Sequence, residues 1–107
     1  MSDVLLVRVN CPTQDMAHNI AEAVVGGRLA ACANIQPNVR ALYMWEGELQ
    51  RDEEAVLILK THIDLWEEVE RMVMAIHPDD TPAILAISCA GANERYEAWL
   101  TENCKAP

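Results

Sequence analysis

His77 is the side chain in this sequence best suited to hold a metal ion. Its imidazole matches copper and zinc, and Asp79 and Asp80 follow closely enough to add oxygen ligands. Cys11 is the thiol candidate beside it in the metal reading. It stands just ahead of a predicted helix start, where the helix field can lower a thiol's pKa. The structural alternative for His77 is a polar residue at a helix C-terminus, where the dipole favours an imidazolium. His18 and His62 are isolated, and nothing in the sequence ties either to His77.

A second group of residues points to a ligand. Lys60 ends an apolar run and, by strand alternation, shares a face with Val56 and Ile58, where an ammonium must be paired or reach water. With Glu54 on the same face and Trp45 across a hairpin, Lys60 could line a cleft for a small anion. The competing reading is an ion pair between subunits. Tyr43, Trp45 and Trp99 could line such a cleft or serve as core and interface anchors. Catalysis has little to stand on. The sequence holds no H-E-x-x-H, no Gly-rich phosphate loop and no nucleophile elbow, and no base is assigned to Cys11. The expectation is a protein that is not an enzyme.

The elements that must position these residues follow from periodicity. Val4 to Val9 reads as a strand, and Thr13 as the N-cap of a helix with a Met16, Ala17, Ile20, Ala21, Val24 stripe that stops at Gly26-Gly27. A second strand is expected over Arg28 to Ile35, bent at Pro37 and resumed over Val39 to Trp45, with Ala41, Tyr43 and Trp45 on one face. Gly47 marks a hairpin turn, and the return strand reaches Lys60. That strand is apolar on both sides, with Ala55, Leu57 and Leu59 on one face and Val56 and Ile58 on the other. Helices can cover one face, and the second cover is expected from another subunit. Asp64 to Glu67 has capping-box character and opens a helix with Leu65, Val69, Met72, Val73 and Ile76 inside. His77-Pro78 ends it, Ile84 to Cys89 is a fourth strand, and a last helix places Tyr96, Trp99 and Leu100 on its apolar side. The order is α+β, a ferredoxin-like βαββαβ with an extra C-terminal helix, in one domain spanning residues 1–107.

Composition narrows the partners. Eight basic against seventeen acidic residues give a net charge of -9, which argues against a nucleic-acid surface and against docking on an anionic membrane. The four cysteines form no C-x-x-C pair, and no secretory signal opens the chain, so a reducing cytoplasm is the expected setting.

Several segments resemble the CutA family of divalent cation tolerance proteins, and they occur in family order. They are Arg28-Leu29-Ala30-Ala31-Cys32-Ala33-Asn34-Ile35, Tyr43-Met44-Trp45-Glu46-Gly47, Glu54 through Leu59-Lys60-Thr61, His77-Pro78 with Pro82, and Tyr96 with Trp99-Leu100. The resemblance implies a ferredoxin-like subunit in a homotrimer similar to PII signalling proteins, with hairpin strands crossing subunit boundaries. It also implies a response to copper or another divalent metal. The alternative is a PII-like regulatory or scaffolding trimer that binds a small ligand or protein in its interface clefts. Relatives with a proposed copper site carry a Cys and a second His at the positions held here by Val9 and Ile76. Of that set only His77 is present, and Cys11 lies near but off the matching position.

Overall fold

In the computed structural model, which describes residues 1–106, the Val4–Cys11 run becomes the inner strand β1. It is followed by α1 (Gln14–Gly26), β2 (Cys32–Trp45), β3 (Glu48–His62), a 3-10 turn (Ile63–Leu65), α2 (Trp66–Ile76), β4 (Ile84–Ser88) and α3 (Glu94–Asn103). The strands form one antiparallel sheet in the order β2-β3-β1-β4, the ferredoxin-like arrangement expected from the element order. Leu5, Val7, Val9 and Cys11 of β1 and Ala55, Leu57 and Leu59 of β3 are buried in one core. They share it with Ala17, Ile20 and Val24 of α1 and Val69 and Val73 of α2. Period-two strands and period-3.6 helices thus meet on one side of the sheet.

Local chemistry fixes the helix ends. The Thr13 hydroxyl accepts from the Met16 amide at 3.1 Å, the cap expected for α1. Its far end stops at Gly26 with Gly27 as the C-cap, as expected, but the left-handed turn falls one residue later. Leu29 N–H donates to the Val24 carbonyl and Arg28 N–H to that of Val25, so the chain turns on Arg28 at φ 60, not on a glycine. Residues 28–31 therefore close the helix, and β2 starts only at Cys32. At α2 the expected Asp64 cap is replaced by His62, whose Nδ1 accepts from the Asp64 amide at 3.1 Å and caps the 3-10 turn before the helix.

Pro37 sits at a bulge. Gln36 pairs with Val56 and Val39 with Glu54, so Pro37 and Asn38 together oppose Ala55, and Asn38 adopts φ 58. The bulge bends β2 while it continues to Trp45, where Glu46 (φ 50) and Gly47 (φ 82) make a two-residue turn of the primed type. The resulting β2–β3 ribbon projects as an arm, and the chain measures 45 × 26 × 22 Å.

The two-sided β3 strand has a cover that periodicity did not place. α3 lies at the far end of the second face, where Tyr96 sits over Lys60 and the Ser2 hydroxyl donates to Glu97. Val56 is buried within the single chain. The rest of that face and the arm stay open: Leu42, Met44, Trp45, Leu49, Leu85 and Ile87 are exposed.

Candidate functional site

Above the open face, the bulge, the base of the arm and the loop after α2 enclose a groove of about 730 Å3. β1 contributes Arg8 and Asn10, the arm contributes Tyr43, Trp45 and Glu54, and the loop contributes Asp79, Asp80 and Thr81. Alternation along β1 explains the first pair: Val7 and Val9 enter the core, so Arg8 and Asn10 point the other way. Asn10 Nδ2 donates to Glu54 Oε1 at 3.1 Å and holds that carboxylate at the groove floor. The Tyr43 hydroxyl donates to Asp52 across the ribbon.

Carboxylates set the field around Tyr43, while Arg8 and Arg40 line the same groove. The hydrogen bond to Asp52 pushes the Tyr43 phenol up to about 12, with Glu54 and Asp79 adding to the effect. Cys11, on the reverse side of β1, is pushed up to about 11 by burial, and Asp79 and Glu54 again add. The helix field expected to lower this thiol's pKa is outweighed by desolvation and two carboxylates. Cys11 is therefore a neutral, buried core thiol.

His77 is also turned away from metal chemistry. Its side chain is fully buried, its Nδ1 accepts from the Asp79 amide at 3.1 Å, and its Nε2 lies 2.7 Å from the Asn10 carbonyl. The amide claims the Nδ1 lone pair, so Nε2 carries the proton and donates to the carbonyl. Neither nitrogen has a free lone pair for a cation. His77 instead ties β1 to the loop that walls the groove. Among the described residues, no three His, Cys, Asp or Glu side chains are grouped to hold a metal ion. The His77–Cys11 donor set does not fit a divalent metal, because one member is doubly hydrogen-bonded and the other resists forming a thiolate.

The five proposed ligand-binding residues divide into two places. Tyr43, Trp45 and Glu54 line the groove. Lys60 lies six residues further along β3 from Glu54, roughly 20 Å at strand spacing, and meets Tyr96 of α3, which stacks on Trp99. A single chain therefore does not bring Lys60 together with Glu54 and Trp45. Arg8, near the end of the first strand, hints from sequence at a face meeting solvent or a polar interface, whereas Asn10 and Thr81 were missed. The polar-apolar alternation of β1 could have placed Asn10 beside Arg8 on the open face; Thr81 left no comparable signal.

The family model described as CutA1 divalent ion tolerance protein matches residues 5–103. The divalent-cation tolerance protein CutA of Thermus thermophilus is 40% identical over 103 residues, covering 96% of this chain and 98% of that protein. Its counterpart in Pyrococcus horikoshii is 39% identical over 102 residues, covering 95% and 99%. The crystal structure of CutA1 from Oryza sativa superposes with a TM-score of 0.95 at 32% identity, covering 99% of this chain and 97% of that one.

Proposed function

The chain belongs to the CutA1 divalent ion tolerance family, and on that basis we propose that it serves divalent-metal tolerance as a non-enzymatic homotrimer and not through a dedicated copper centre at His77. The observation that carries this reading is the arm. Tyr43 and Trp45 lie on one face of the ribbon, Leu42 and Met44 with Leu49 on the other, and all five are exposed in the single chain. A two-stranded ribbon is marginal alone in water, and one that is apolar on both faces needs protein on both. Leu85 and Ile87 extend the exposed apolar surface across the sheet. In this reading a second copy of the chain supplies the complementary surface, and three copies is the number proposed by analogy with the family.

Metal enters this reading through a loose route. The acidic surface, with Asp79, Asp80 and Glu54 at the groove, attracts cations without a fixed coordination shell. The setting proposed is the cytoplasm, in keeping with four unbridged cysteines. Titration calorimetry with copper and zinc on chelator-stripped protein tests the metal side. Weak binding that is unchanged in His77→Ala is the expected result. Stoichiometric micromolar binding that disappears in His77→Ala would overturn it and restore the imidazole as a ligand.

A further inference from the structure

An arginine sits in the middle of the open sheet face. Leu6, Arg8 and Asn10 of β1 lie on that face because Val7 and Val9 enter the core. In the sheet register Arg8 stands between Ile58 of β3 and Leu85 of β4, so its neighbours across the sheet are apolar on both sides. The chain has seventeen acidic residues, yet none of the ion pairs among the described residues includes Arg8. Glu54 shares the face but is held by Asn10 at 3.1 Å, and it lies four residues along β3 from Ile58, roughly 13 Å at strand spacing. In the single chain the half-buried guanidinium still meets water. A covering copy removes that water, and the buried charge is then costly unless the cover brings an acceptor with it.

The arm has the opposite need. Leu42, Met44, Trp45 and Leu49 are exposed, and the tip they surround carries Glu46 and Glu48 on either side of Gly47. No Lys or Arg occurs from residue 41 to residue 50, and neither glutamate belongs to an ion pair among the described residues. From Val39, where the ribbon leaves the bulge, to Glu46 is roughly 23 Å of strand, whereas four strands side by side span roughly 15 Å. An arm of that length reaches across the sheet of a neighbouring copy.

We propose that Arg8 receives the acidic tip of a neighbouring copy's arm, with Glu46 and Glu48 of that copy supplying the carboxylates that Arg8 lacks. This pairing rests on the homotrimer reading and names the charge that fixes how the copies align. Apolar surfaces alone associate in many alignments; an ion pair enclosed among them permits only the one in which both charges are met. Contacts of this kind, arm to face and head to tail, close into a ring in which every Arg8 meets one arm.

The test is charge reversal, read by sedimentation equilibrium of the intact protein over a concentration series, with circular dichroism to check that each variant folds. Arg8→Glu should raise the midpoint concentration for assembly about tenfold or more, and so should Glu46→Arg combined with Glu48→Arg, because each change sets like charges against each other. All three substitutions together should return the midpoint to within about threefold of the wild type. Reversed variants that assemble as the wild type does would overturn the pairing and leave the homotrimer reading standing. Weakening that the triple variant does not recover would overturn it too, and would give Arg8 to a free anion or to a carboxylate of its own chain. A wild-type protein that stays monomeric would overturn both.

Discussion

At the scale of single residues, the neighbours a side chain meets decide its chemistry, and its type alone is a poor guide. Cys11 shows this. A position ahead of a helix suggests a reactive thiolate, yet burial and the Asp79 and Glu54 carboxylates push it up to about 11. The ordinary value is 9.0, so the unfolded chain releases this proton first as pH rises. The thiol's contribution to stability is complete below about pH 9 and is lost as pH climbs through about 11. The urea midpoint should fall across that window in the wild type and fall less steeply in Cys11→Ala. Tyr43 makes a second case: Asp52→Asn should bring its phenol down from about 12 toward the ordinary 10.0, read by phenolate absorbance in a Tyr96→Phe background. The sequence marked His77 as chemically important and could not say why. Its two partners are backbone groups, the Asn10 carbonyl and the Asp79 amide, and these leave no pattern in side-chain identities.

At the scale of elements, hydrophobic period carried most of the fold. The α1 stripe and the Thr13 cap are where the spacing puts them. The misplaced boundaries all involve a residue taking on another's usual role. Arg28 adopts the left-handed conformation that a glycine would hold at less cost, and its Nη2 donates to the Glu102 carbonyl at 2.8 Å. Lys105 N–H donates back to the Arg28 carbonyl at 2.7 Å, so this strained residue also anchors the segment after α3. Two substitutions separate backbone from side chain. Arg28→Ala loses the side-chain bond to Glu102 and keeps the strain; Arg28→Gly loses the same bond and relieves the strain, and both keep the backbone bond to Lys105. Urea denaturation should find the glycine variant more stable than the alanine variant by about 1 kcal/mol. At the arm's tip, a methyl group on Gly47 would meet only open space, but the residue holds φ 82. Gly47→Ala should therefore cost about 1 kcal/mol through its backbone alone, read by the same denaturation.

At the scale of the whole molecule, shape makes the argument for assembly. The chain exposes 6699 Å2, against roughly 5,950 Å2 for a compact monomer of its size. Its radius of gyration of 14.3 Å likewise exceeds the roughly 13 Å expected of 107 compact residues. The excess lies in the arm and the open sheet face, where apolar side chains meet water. The two-sided apolar pattern of β3 by itself predicts a missing cover. It overstates the need at one end, because α3 packs over Lys60 and no strand periodicity announces a helix arriving from far along the chain. Splitting the Lys60 and Glu54 candidates into separate places has the same origin: strand alternation gives the face a residue shares but says nothing of what covers each stretch.

The measurement that bears most directly on this account is sedimentation equilibrium of the chelator-treated protein at micromolar concentration. The predicted mass is that of three chains, falling toward one when Leu42 and Met44 on the arm are both replaced by Lys. A wild-type mass of one chain would contradict the account, because the apolar arm would then stand in water without a partner.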